Sequence, residues 1–193
     1  RTPSAWSVGQ TLDTEGVGAA YGALLAEECA AFGFNMDFAP SLDIWSNPDN
    51  TVIGDRAFGN DWEWTAFFGM SAVEGMEKQG TVIPVVKHFP GHGWAEADSH
   101  TTLPRDDRPA EKVLRDAEPY RLLTGLPAVM TAHVAYDAFQ GEIATFSSGL
   151  LKDVLRQKFG FTGLVFSDDL TMKGAGESPI EERAARALAA GCD

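Results

Sequence analysis

One pattern recurs along this chain: an Ala- or Leu-rich helical stretch, a glycine stop, then a short apolar strand. Helical patterning over residues 16–32 ends at Gly33, and a strand follows over 34–44. Residues 61–79 read as a second helix, stopped by Gly80 before a strand over 81–88. A third helix, 108–124, ends at Gly125 ahead of the strand 128–135. Ser147 caps a fourth that runs to Phe159 and Gly160, and the strand 164–170 comes next. Pro179 then opens a fifth helix, which ends at Gly191. Glycine accepts the left-handed turn at a helix end, and proline suits the first helical turn, so caps and stops agree at each step.

Short apolar strands separated by helices predict a parallel sheet buried on both faces. A doubly wound sheet and a (β/α)8 barrel both satisfy that alternation. The polar residues favour the barrel: Asp43, Lys87 with His88, His133, and Asp168 with Asp169 each fall toward the C-terminal end of a different strand. Barrels collect their chemistry on that rim from several strands at once. Doubly wound sheets concentrate it at one switch point, with a Gly-rich phosphate loop that this sequence lacks. The expected fold class is therefore α/β, a (β/α)8 TIM barrel. Four full strands and the start of a fifth are present, so residues 1–193 are read as a single domain, a fragment of such a barrel with strands missing at both ends. Such a piece is expected to be inactive or poorly folded until the missing strands are supplied.

Charge narrows the partners. Fifteen Lys and Arg against 28 Asp and Glu leave a formal net charge of −13. A chain this acidic repels phosphate backbones, so no nucleic-acid partner is expected. No apolar run approaches the roughly 20 residues of a spanning helix, so no membrane span is expected either. Two cysteines only, Cys29 and Cys192, read as buried free thiols and suit a reducing, cytoplasmic compartment.

The densest chemistry lies in Lys87-His88-Phe89-Pro90-Gly91-His92-Gly93 and the following Asp98-Ser99-His100. Side chains two apart in extended backbone point the same way, so Asp98 and His100 can face one site. A carboxylate beside an imidazole fixes its tautomer and tunes a proton-transfer group. Asp168 and Asp169 end an apolar strand on opposite faces, so at most one faces a pocket directly. They serve equally well as a helix cap with a structural ion pair, for which Lys87 and His88 are the partners. Arg56 follows Asp55 in a long loop, either paired locally or clamping a ligand oxygen. His92, between two glycines, reads as a turn residue or a substrate contact, and His133 as a packing or hydrogen-bonding residue of the barrel mouth. His88, His92, Asp98 and His100 are plausible zinc ligands by type. Without HExxH or paired CxxC spacing, no metal is expected.

Five segments in order carry a resemblance: residues 35–43, Gly54-Asp55-Arg56-Ala57-Phe58, the Lys87 to Gly93 run, residues 98–104, and Phe166-Ser167-Asp168-Asp169-Leu170-Thr171-Met172. Together they resemble the N-terminal barrel domain of glycoside hydrolase family 3, in particular its bacterial β-N-acetylglucosaminidase (β-hexosaminidase) branch of the NagZ type. The Asp-Ser-His loop is the specific element, because other branches of that family take a carboxylic acid from a second domain. The family's Asp-x-Glu-Gly-Gly-Arg segment, whose aspartate holds sugar hydroxyls, has no counterpart here. The resemblance implies a retaining exo-hydrolase acting on cell-wall muropeptides. Asp168 would be the nucleophile, His100 the acid/base and Asp98 its orienting partner. Arg56, Lys87 and His88 match sugar-gripping positions, and Arg1 matches another sugar-contacting arginine. An imidazolium in place of a second carboxyl removes a like-charge conflict with Asp168. The expected partner is a carbohydrate containing N-acetylglucosamine, with no cofactor, and the complete protein is expected to be a monomer. A β-glucosidase of the same family and a non-catalytic sugar-binding relative are the rival readings.

Overall fold

The computed structural model describes residues 2–11, 16–96, 102–122 and 125–193. The chain opens with α1 (Ala5–Gly9) and α2 (Val17–Ala31), then β1 (Met36–Asp37), α3 (Trp62–Gln79) and β2 (Ile83–Phe89). It continues through β3 (Arg105–Asp106), α4 (Ala110–Asp116), α5 (Glu118–Leu122), β4 (Ala128–Thr131), β5 (Ala135–Tyr136) and β6 (Glu142–Ile143). A π-type helix (Gly149–Lys158), β7 (Leu164–Phe166) and α6 (Ile180–Ala190) complete it. Four strands make one all-parallel sheet in the order β1-β2-β4-β7. That order follows the chain without reversing, so the described strands contain no switch point of the doubly wound kind. The three short strands β3, β5 and β6 form a separate sheet.

The stops fall where the sequence puts them. Gly33, Gly80, Gly160 and Gly191 have φ of 83°, 68°, 76° and 129°, and Asp61 caps α3 by accepting the N–H groups of Glu63 and Trp64. The strands are shorter than expected. Within 34–44 only β1 pairs continuously, because Pro40 has no N–H for the ladder. Pairing resumes beyond it, with Leu42 N–H donating to Lys87 O at 2.6 Å. The expected strand 128–135 is cut after Thr131, and Ala135–Tyr136 turns away into the small sheet. The expected helix 108–124 is two helices with Ala117 between them, since Pro119 cannot donate to the preceding turn; Thr124 lies outside the described residues.

Two faces of the main sheet are apolar, as a parallel sheet requires. Val86, Phe89, Val129 and Val165 join Tyr120, Leu150, Leu155 and Phe159 in the larger core. Val85, Ala128 and Met130 pack with Met36 and Phe166 in a second cluster. Cys29 and Cys192 are free thiols, each only partly buried. No helix among the described residues is long and apolar enough to cross a membrane.

Helices α2 and α3 meet backbone to backbone. A Cβ added at Gly22 would sit 1.9 Å from Ala72 O, and one at Gly75 would sit 2.0 Å from Ala19 O. Alanine normally favours a helix interior over glycine by about 1 kcal/mol. Here overpacking reverses the sign: Gly22→Ala and Gly75→Ala should each destabilise by about 1–3 kcal/mol. The urea midpoint of the full-length protein checks this, and an unchanged midpoint would contradict the packing.

Candidate active site

A cleft of ≈ 590 Å³ opens beyond the C-terminal ends of β2, β4 and β7, lined among others by Arg56, Lys87, His88, His92, Met130, Asp168 and Asp169. Three separate segments therefore deliver its polar groups: the loop after β1, the end of β2, and the turn after β7.

Beneath the cleft lies Asp43, fully buried. Its Oδ2 accepts from Ser41 Oγ at 2.8 Å and lies 2.6 Å from His88 Nδ1. Its Oδ1 accepts the backbone N–H groups of His88 and His92 at 3.3 and 2.7 Å. A carboxylate only accepts, so Nδ1 of His88 carries a proton and Nε2 is the nitrogen left for a ligand. Burial alone would raise the Asp43 carboxyl, but the charge and hydrogen bond of His88, with help from His92, hold it well below the usual carboxylate range. His92 is also buried, and neither ring nitrogen has a hydrogen-bond partner among the described residues. Burial, reinforced by the His88 charge, pulls it down to about 4, so it is neutral near pH 7.

Lys87 is half-buried between the cleft and a neighbouring pocket of ≈ 630 Å³ that also reaches Arg56. Burial and the nearby Arg56 charge lower its ammonium, against the opposing pull of Asp168, Asp43 and Asp37. Arg56 is exposed and donates to Val52 O at 3.2 Å, so its guanidinium has no carboxylate partner among the described residues.

The two adjacent aspartates differ. Asp169 Oδ1 accepts both the N–H and the hydroxyl of Thr171, at 2.8 and 2.7 Å, which closes a local turn. Asp168 Oδ1 accepts only the N–H of Asp169, at 2.8 Å, among the described residues. Asp169 is thus tied into a turn by its side chain, while Asp168 makes no such side-chain turn.

The structure thus brings Arg56, Lys87, His88 and Asp168 to one cleft, while Arg1, Asp98 and His100 lie outside the described residues. Sequence reasoning placed Asp43 on the rim without a role, left His92 between turn residue and substrate contact, and read His133 as a packing or hydrogen-bonding residue, as its buried, twice hydrogen-bonded ring is. Among the described residues, no group of three or more His, Cys, Asp or Glu is set to hold a metal ion.

All 193 residues match the glycosyl hydrolase family 3 N terminal domain. The chain belongs to glycoside hydrolase family 3. Among its family 3 relatives, a beta-hexosaminidase of Neisseria meningitidis serogroup C is 42% identical over the whole chain, and one of Pseudomonas aeruginosa is 40% identical. The chain spans 56% and 58% of those two proteins, a little over half their length. A family 3 beta-N-acetylglucosaminidase from Paenibacillus superposes with a TM-score of 0.93 at 38% identity, covering all of this chain and 37% of that one. NagZ from Neisseria gonorrhoeae, in complex with N-trifluoroacetyl-D-glucosamine, superposes at 0.88 and 39% identity, covering 100% of this chain and 58% of that one.

The buried pair under the cleft makes stability pH-dependent. The unfolded chain takes up a proton on His92 near pH 6.5 and the folded chain only near 4, so stability falls as pH drops through that window. Asp43 adds a further loss below about pH 4, because its folded form resists protonation. The His92 part should be on the order of 3 kcal/mol and should vanish in His92→Asn. Denaturant midpoints of both proteins between pH 7 and 4 test this; parallel curves would refute it.

Proposed function

We propose that the full-length protein carrying this chain is a retaining exo-hydrolase. It removes terminal β-linked N-acetylglucosamine from peptidoglycan-derived muropeptides. The observation that carries this reading is the setting of Asp168: in a chain of this family it stands past the end of β7, in a cleft it shares with Lys87, His88 and Arg56. The hexosaminidase relatives and the sugar-bound NagZ neighbour support the choice of substrate class.

The chemistry follows in two displacements. A carboxylate oxygen of Asp168 attacks the anomeric carbon while His100 gives its proton to the departing glycosidic oxygen. The products of this step are a glycosyl ester on Asp168 and the free leaving alcohol. His100, now neutral, takes a proton from water as that water attacks the same carbon, which releases the sugar and regenerates the carboxylate. Two inversions at one carbon retain the configuration. Asp98 orients His100, and Lys87, His88, Arg56 and Arg1 bind the sugar. Nε2 of His88 suits this role, because Asp43 already occupies the other ring nitrogen. No cofactor enters either step.

In the same reading the four sequential parallel strands are part of a (β/α)8 barrel, which places the cleft at the rim where such enzymes work. The complete protein is taken to be a cytoplasmic monomer.

Release of the aryl alcohol from an aryl β-N-acetylglucosaminide by the full-length protein is the direct test. Asp168→Ala should lower kcat by at least about 10³-fold. A 5-fluoro glycosyl donor should leave its label on Asp168, and label on Asp169 would overturn the assignment. With an imidazole serving as acid and then base, kcat/KM should follow a bell-shaped pH profile, and a flat one would count against His100.

A further inference from the structure

We infer that His133 is a positioning residue for the nucleophile: donors passed from Thr131 to Thr145 to His133 end on the carbonyl of Asp169 and set the orientation of the Asp168 carboxylate. The inference rests on the reading of Asp168 as nucleophile.

His133 leaves the end of β4, two residues past Thr131, and has no exposed surface. Its Nε2 lies 3.1 Å from the carbonyl oxygen of Asp169, and its Nδ1 lies 2.8 Å from the hydroxyl oxygen of Thr145. A carbonyl only accepts, so Nε2 must carry a proton; the opposite tautomer would set two acceptors against each other. A doubly protonated ring would be a buried cation, which burial disfavours. The ring is therefore the neutral Nε2–H tautomer, and Nδ1 is an acceptor. The Thr145 hydroxyl donates to it, with Ala132 O at 3.2 Å as a weaker second acceptor. The Thr131 hydroxyl, 2.8 Å from Thr145 Oγ1, then donates to Thr145. Every proton in the chain points toward Asp169.

Asp169 is the residue that matters for its neighbour. Its N–H holds Asp168 Oδ1 at 2.8 Å, while its carbonyl is held by His133. The backbone that orients the Asp168 carboxylate is thus gripped on both sides. The ring itself is held in place: the Phe146 ring stacks on it at 6.5 Å and 22°, and the Arg186 guanidinium lies 4.3 Å over that phenyl ring. Because β4 and β7 are paired neighbours, the grip spans adjacent strand ends. A nucleophile must be held within a fraction of an ångström of its attack geometry, so loosening it costs turnover more than binding.

The test uses the full-length protein and an aryl β-N-acetylglucosaminide. His133→Phe keeps the ring packing and deletes both hydrogen bonds; Thr145→Val deletes only the donor to Nδ1, and Thr145→Ser retains it. We expect kcat to fall about 100-fold in the first and about 10-fold in the second, with KM within about 3-fold, while Thr145→Ser stays within about 3-fold of the parent. The rate of labelling by the 5-fluoro donor should fall in parallel. Parental kcat in Thr145→Val, or a loss that Thr145→Ser shares, overturns the inference. Imidazole ¹⁵N shifts of the unmutated protein test it without any variant: a charged ring, or the Nδ1–H tautomer, at pH 7 also overturns it. If Asp168→Ala remains active, the nucleophile reading itself has failed. If Asp168 takes the label while Thr145→Val is unimpaired, only the role of His133 has.

Discussion

A single buried carboxylate, Asp43, joins the tail of β1 to the end of β2. Four donors converge on its two oxygens, from Ser41, from the ring and backbone of His88, and from the backbone of His92. Charge-assisted bonds of this kind are strong, and each donor would otherwise be buried without an acceptor. Because the carboxylate is saturated, it has no capacity left for a proton-transfer role of its own. Its effect is geometric: the Lys87-His88 segment reaches the cleft in one orientation, with the His88 tautomer already chosen.

Much of this architecture can be read from residue order. Helix stops at Gly33, Gly80, Gly160 and Gly191 depend on local backbone preference, which the sequence states outright. The rise of polar residues at strand ends depends on the period of the fold, and it brought Lys87, His88 and Asp168 to one place as expected. Strand lengths were less legible. Pro40 truncates β1 because it cannot donate, and Pro119 divides what reads as one helix, although both prolines are visible in the sequence. Each was outweighed by the apolar run around it.

The missed roles have a common cause. Asp43 meets His88 across 45 residues, and His133 meets Asp169 across 36. Neither pairing has a sequence signature, because it depends on which strands lie side by side. The same is true of the difference between Asp168 and Asp169. By residue type they are identical carboxylates, and the turn that Thr171 closes on Asp169 is a difference only the folded backbone displays.

The glycine contacts between α2 and α3 have a wider effect. With carbonyls of Ala72 and Ala19 seated against Gly22 and Gly75, and Val17 and Tyr21 packed with Phe68 on one side and Ala26 with Met76 on the other, the two helices meet too closely to shift past one another. The two helices are thereby welded into one slab. The stretch from Phe32 to Asp61, which carries both Asp43 and Arg56, is anchored to that slab at each end. Arg56 at the cleft and Asp43 beneath it, both on a long irregular segment, thus inherit the stiffness of a helix pair that never touches the cleft.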